Sequence, residues 1–417
     1  MTRGVKSTVD TRHLTPVTRM TLWKVYVSIL LVTAAEGGMN TIYPPFLEKS
    51  RYTIEQIGWI VALFGVTQLA ARLPAGALYG AGSAKPLFIT FVVLFILSTI
   101  GFAYAGGTIY LLALTLLHGF AFGAIGTVML AWIIELKPAN SSHGATMGWY
   151  TAALSAGYSI GSFGGGYLAD HLGFAFTFLG IGVIPVLSIL VGLTLPTPTV
   201  PLVPPPVESG KPRNRWSLKE LRGVVTRNLV LATLIAFYLN LLDDGFAAFF
   251  PLFGLSVGLS LTLIGLLKSV KSLTATGLRP MSGVIFRYID FKTLNNVLII
   301  TWAFAMIIFP SLREMWMFAL VFIVIGACRG LLRVTSATMI AEEKARDTRG
   351  IGIASGVYNA GLDAGAFVGP LVAGYIASVT DIPTMFRIMP LALLAVYFPV
   401  ALWVGRTQLK SQDEASV

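Results

Sequence analysis

Apolar runs of roughly 20 residues recur from residue 22 to residue 405, and each is long enough to cross about 30 Å of hydrocarbon. In that medium every backbone amide and carbonyl needs an internal partner, which leaves helices or a closed barrel. The runs are continuous rather than alternating, so helices are expected. The charge content agrees: 12% of the 417 residues are charged, where a soluble protein carries about 25%.

The pattern predicts spans over 22–47, 54–79, 85–105, 108–135, 143–171, 173–196, 228–256, 260–286, 292–311, 314–341, 350–379 and 383–405. The first 20 residues are polar and basic, without the short apolar core of a signal peptide, and read as a cytoplasmic tail. Placing the N-terminus inside leaves about 20 Lys and Arg in cytoplasmic segments, against Lys49, Arg51, Arg313 and Arg387 outside. Both termini are therefore expected in the cytoplasm of a plasma (inner) membrane. The net charge of +11 follows from this bias, and no nucleic-acid partner is implied.

The longest break, 197–227, opens on a proline-rich spacer containing "VPLVPPPVESG" and continues as "KPRNRWSLKELRGVVTRN". Ser217 is placed to cap a short basic helix lying on the anionic inner leaflet. The single cysteine, Cys328, excludes a disulfide framework within one chain.

Sliding the second half over the first by roughly 207 residues superposes far more than leucines. Glu36 falls on Asp243, Pro44 on Pro251, Gly58 on Gly265, Arg72 on Arg279, Gly119 on Gly326 and Glu135 on Glu342. One residue later in register, "GWYTAALSAGYSIGSFGGGY" lies on "GVYNAGLDAGAFVGPLVAGY". Apolar helices align by chance, but intramembrane acids, arginines and prolines do not. The fold expected is an all-α membrane protein of about twelve transmembrane helices in two pseudo-symmetric six-helix bundles. The N-terminal bundle and its tail take residues 1–196, a linker takes 197–227, and the C-terminal bundle and its tail take 228–417. Span six carries no charged residue, spans three and nine only the lysines at their first positions, Lys85 and Lys292, and span twelve only Arg387 near its end, so every third helix should face lipid.

Duplicated six-helix halves with this charge layout resemble the major facilitator superfamily, and the resemblance covers nearly the whole chain. "RLPAGALYGAGSAK" (72–85) is similar to that family's loop between helices two and three, normally G-x-x-x-D-R-x-G-R-K, but Gly80 and Ala81 replace the Asp and Arg. The counterpart, "RPMSGVIFRYIDFK" (279–292), is degraded too. The glycines of helix five, Gly157, Gly161 and Gly165, resemble the motif of drug-proton antiporters, with Ser162 in place of the usual proline. Helix eleven keeps the proline as Pro370, beside Gly365 and Gly369. Small residues at four-residue spacing also serve ordinary close packing. "IYPPF" closes helix one as in drug exporters, while the arginine the family often has in helix four is replaced by Thr115, ahead of His118-Gly119.

Candidate cavity residues follow from the cost of burying charge, at least about 2.5 kcal/mol against lipid. Glu36 and Asn40 share a face of helix one, and Asp243 and Asp244 take the matching place on helix seven. These acids suit proton or substrate binding, or a permanent ion pair between the halves. Lys268 and Lys271 on helix eight and Arg329 and Arg333 on helix ten form a cationic wall, with Asp363 as a partner; they suit an anionic substrate or neutralise the aspartates, and Arg333 lies nearer the cytoplasmic interface. His118 is either a hydrogen-bonded interior residue or a proton relay. Arg72, Arg279, Glu135 and Glu342 are expected to pair at the cytoplasmic gate. Trp132, Trp149, Tyr150, Tyr158, Phe246 and Phe249 are candidates for an apolar wall.

No H-E-x-x-H, G-x-S-x-G or G-x-x-x-x-G-K-[ST] occurs, so no enzyme activity, cofactor or metal is expected. The expectation is a monomeric secondary transporter exporting amphipathic small molecules in exchange for protons by alternating access. The alternatives are a proton-coupled importer of organic anions, a carrier of lysolipid-like substrates, and a transporter-like sensor.

Overall fold

The computed structural model describes residues 15–80, 82–136, 143–195, 226–279, 285, 288–289, 291–343 and 348–415, and these contain helices and connecting turns but no strand. Helices α1 (Thr15–Lys49), α2 (Ile54–Leu78), α3 (Ala84–Gly101) and α4 (Thr108–Glu135) come first. The segment His143–Leu193 breaks at Gly173, whose φ of 78° favours glycine, into α5 (143–172) and α6 (174–193). The second set is α7 (Arg227–Ser256), α8 (Leu261–Leu278), α9 (Phe291–Ile308), α10 (Met315–Glu343), α11 (Thr348–Val379) and α12 (Ile382–Ala415). The twelve helices expected from sequence are thus present. α1 and α12 run past the apolar stretches that predicted them, and α8 stops short of the predicted 286. The linker lies outside the described residues except at Thr226 and Arg227.

Ten of the described helical segments are long and apolar enough to span a membrane, with α5 and α6 counted together. α8 is not among them, because Lys268, Lys271 and its hydroxyl residues dilute its apolar content. Rows of exposed apolar side chains, such as Val183, Leu187 and Leu190 on α6 or Val297, Ile300 and Phe304 on α9, mark the lipid-facing helices.

The internal duplication reappears as repeated contacts. Thr53 caps α2 through the Gln56 amide at 3.3 Å, and Ser260 caps α8 through the Leu263 amide at 3.2 Å. α1 packs on α5, and α7 packs on α11. A Cβ on Gly161 would lie 1.7 Å from the Ala34 carbonyl oxygen; one on Gly369 would lie 2.4 Å from that of Leu241. Each seam therefore admits backbone against backbone, the close approach that small residues at four-residue spacing permit. Gly157 and Gly365 make the same approach one turn earlier, to Leu30 and Phe237. Gly165 meets Gly38, whereas α11 has Ala373 at the corresponding place.

Two further seams join the halves, α2 with α11 and α5 with α8. Near the α1–α2 and α7–α8 turns they are tight: Gly58 abuts Pro370 and Gly374, and Gly265 abuts Ser162. Asp170 on α5 reaches the first turn of α8, accepting from the amides of Leu261 (3.1 Å) and Thr262 (2.7 Å) and from the Thr262 hydroxyl. A carboxylate at a helix N-terminus meets orphan amides and the positive end of the dipole. Toward the side of the chain termini, nothing lies within 4 Å of where a Cβ would sit on Gly148 or Gly277. The halves are closed on the turn side.

Gly161→Ala should therefore force α5 off α1, costing about 1–3 kcal/mol by overpacking. Gly164→Ala, where nothing lies within 4 Å, should leave the melting temperature in detergent unchanged.

Candidate functional site

The central cavity encloses about 670 Å³, counting the space open to solvent. Its walls come from both halves: Glu36, Met39, Asn40, Tyr43 and Pro44 on α1, Val61, Phe64, Gly65 and Gln68 on α2, and Thr115 and His118 on α4. The second half adds Asp244, Ala247 and Ala248 from α7 and Ala366 and Pro370 from α11, while Phe102 stands just beyond α3. The lining thus holds two acids, a histidine and amide and hydroxyl groups among apolar and aromatic surfaces. No lysine or arginine is among its described lining residues.

Glu36 is buried and its Oε2 lies 2.9 Å from His118 Nε2. His118 Nδ1 faces the Ser98 hydroxyl at 3.1 Å, and the imidazole stacks on Phe95 with centroids 4.5 Å apart. Tyr43 and Thr115 share a short hydroxyl contact beside the pair. Helix geometry explains the set: Glu36, Asn40 and Tyr43 lie on one α1 face, which lines the cavity.

Asp243 and Asp244 point to different surroundings, as neighbours on a helix must. Asp243 is buried, with Oδ1 2.7 Å from Lys271 Nζ and Oδ2 2.9 Å from Arg329 Nε. Lys271 also lies over the Phe246 ring, 5.7 Å from its centroid. Asp243 is therefore held away from the cavity lining, and this separates it from Glu36, with which it was expected to converge. Asp244 does reach the lining, and among the described residues it has no hydrogen bond or ion pair. Lys268 crosses between the halves and donates to Asn40 at the carbonyl oxygen (2.9 Å) and at Oδ1 (2.7 Å). The cationic wall is thus occupied within the protein.

The gate expectation is corrected at Arg72. Its guanidinium pairs with Asp363 of α11 at 2.8 Å, across the halves, whereas Lys271 and Arg329 pair with Asp243. Arg279 forms the C-cap of α8. The side chains of Glu135 and Glu342 lie outside the described residues. The aromatic expectation also fails: Trp132, Phe246 and Phe249 are packed in the cores, and Trp149 meets Trp23 in a tilted ring contact at an exposed position. Tyr150 and Tyr158 are likewise absent from the lining. Tyr43, Phe64 and Phe102 line the cavity instead. Of these, Tyr43 was legible as the next position on the Glu36 face; Phe64 and Phe102 carried no comparable signal.

The sequence matches the family profile described as Major Facilitator Superfamily over residues 25–355 and 296–416. The chain belongs to that superfamily. It is a multi-pass transporter of small molecules in a lipid bilayer. An uncharacterized MFS-type transporter of Methanocaldococcus jannaschii is 21% identical over 87% of this chain and 92% of its own length. The quinolone resistance protein NorA of Staphylococcus aureus is 20% identical over 94% of this chain and 99% of its own. The nucleoside transporter NupG superposes with a TM-score of 0.75 at 13% identity, covering 91% of this chain and 98% of NupG. A bacterial homolog of the human lysosomal transporter Spinster, inward-facing and unoccupied, superposes at 0.71 with 14% identity, over 95% and 98% of the two chains.

Removing one partner of the buried Asp243 cluster leaves a charge without its balance. Lys271→Met should cost about 3 kcal/mol in thermal stability, and adding Asp243→Asn should recover part of the loss.

Proposed function

We propose that this transporter exports amphipathic cations in exchange for protons, by alternating access between its two six-helix halves. One observation carries this reading: the described lining presents the carboxylates of Glu36 and Asp244, with His118 but no lysine or arginine, and Asp244 has no hydrogen bond or ion pair among the described residues. An unpaired carboxylate beside Phe64, Tyr43 and Phe102 suits a molecule with a positive group and an apolar body. The volume suits a drug-sized ligand. Similarity to a quinolone resistance protein supports export. With both termini in the cytoplasm of the plasma membrane, as the Lys and Arg bias favours, the closed turn side faces outward. The protein acts as a monomer on this reading.

The anion-importer alternative loses support because Lys271 and Arg329 are bound to Asp243 and Lys268 to Asn40. Purified protein in acid-inside liposomes should accumulate ethidium, and Asp244→Asn should reduce that uptake about tenfold or more. Uptake of an organic anion driven by external acid, with no movement of cations, would replace this reading by the importer.

Alternating access also requires the turn-side closure to break. Asp170→Ala should raise labelling of single cysteines placed in the cavity by a membrane-impermeant reagent from the turn side. Unchanged labelling would remove Asp170 from the closure.

A further inference from the structure

A proline inside a helix removes a backbone donor, so the carbonyl four residues earlier loses its helical amide. Around the cavity Pro44 does this to Asn40 on α1, Pro251 to Ala247 on α7 and Pro370 to Ala366 on α11. Asn40, Ala247 and Ala366 all line the cavity. A carbonyl left this way within a membrane takes its donor from elsewhere.

The Asn40 carbonyl has found one. Lys268 reaches it from the other half, and its ammonium donates to the carbonyl oxygen at 2.9 Å and to Asn40 Oδ1 at 2.7 Å. The internal duplication supplies a second arrangement of the same kind. The register that sets the cap at Thr53 on that at Ser260, and the seam at Ala34 on that at Leu241, also sets Asn40 on Ala247, Pro44 on Pro251 and Val61 on Lys268. Where α8 carries a lysine, α2 therefore carries a valine. Val61 and Ala247 both face the cavity, and so does Asp244, one turn before Ala247 on the same face of α7. Across the cavity, the Ala366 oxygen lies 3.5 Å from where a Cβ on Gly65 would sit, and glycine has no side chain to cover it. One of the two repeat-related places thus holds an ammonium of the protein; the other offers a carboxylate and stripped carbonyls, with a valine where the lysine would be.

We propose that the transported cation is a protonated amine bearing N–H groups, and that its ammonium occupies the α7 counterpart of the Lys268 position. There it donates to the Asp244 carboxylate and to the Ala247 and Ala366 carbonyl oxygens. This rests on the cation reading above and narrows its substrate class. A primary ammonium is three donors and no acceptor, which matches one ionised and two neutral acceptors. Hydrogen bonds of this charge-assisted kind are the strong ones. A quaternary ammonium, sheathed in carbon, meets the carboxylate by charge alone and leaves the carbonyls without donors. Lys268, Lys271 and Arg329 are each bound elsewhere, to Asn40 and Asp243. Ethidium meets the requirement through its two arylamine groups.

A methylation series separates hydrogen bonding from charge. Phenylbutylamine and its mono-, di- and trimethylated derivatives are all cations at neutral pH, and each added methyl removes one N–H. Each methyl also adds apolar surface, which by itself strengthens binding. Affinity for the purified full-length protein in detergent, read by titration calorimetry, should instead fall along the series, to about one tenth or less at the trimethyl compound. Pro251→Ala returns an amide to the Ala247 carbonyl; it should weaken the primary amine severalfold and leave the trimethyl compound unchanged. Val61→Lys puts an ammonium of the protein where α8 already has one, and should abolish binding of the whole series.

A trimethyl compound bound as tightly as the primary amine would overturn the proposal while leaving cation binding in place. So would a Pro251→Ala protein that keeps the full preference, or a Val61→Lys protein that binds the amine unweakened. If neither ethidium nor any member of the series binds, the cation reading itself fails.

Discussion

Ionised groups in a low-dielectric bundle must be paired, hydrated or neutralised, and this constraint orders the rest of the molecule. Three solutions occur within a short distance. Asp243 is surrounded by two cations and sealed in the C-terminal half. Glu36 is matched to a histidine, a partner whose charge is conditional. Asp244 has no partner among the described residues and stands on the cavity wall. A permanent pair is structural ballast, whereas a conditional or missing one is where a ligand or proton changes the energy of the site.

The scaffold is duplicated more faithfully than the site. Caps at Thr53 and Ser260 and glycine seams at Gly161 and Gly369 recur in register, because backbone contact tolerates little drift. The charged residues diverge. Glu36 finds His118 on α4, while Asp243 finds Lys271 on α8 and Arg329 on α10. Cross-half contacts are asymmetric as well: Asp170 clamps the start of α8, and the repeat-related Ser378 donates to the Tyr375 carbonyl within its own helix. A two-fold frame with unequal chemistry is suited to rock between states while carrying charge in one place only.

Much of the fold could be read in advance because hydrocarbon is a demanding solvent. Long apolar runs, the missing charges on every third span and the register of Glu36 with Asp243 each have few physical solutions. The site was less legible. Helical spacing put Glu36 and Asn40 on one face but could not say that Lys268 would reach Asn40 from the other half. Nor could it tell Asp243 from Asp244, adjacent residues that a rotation of about 100° sends to different surroundings. The expected pairing of Arg72 with a gate acid failed because α2 packs on α11, which brings Asp363 within reach.

The sequence by itself determined the membrane-spanning helical class, the duplication and the identity of the ionisable residues buried at mid-depth, since each follows from local composition or from comparing the chain with itself. Tertiary structure decided which of those residues are spent on one another and which remain for a ligand. Partner choice depends on how helices rotate and cross, over contacts tens to hundreds of residues apart, and no local pattern encodes that. Glu36 facing His118, with its Nδ1 against a hydroxyl from α3, is the product of three helices meeting.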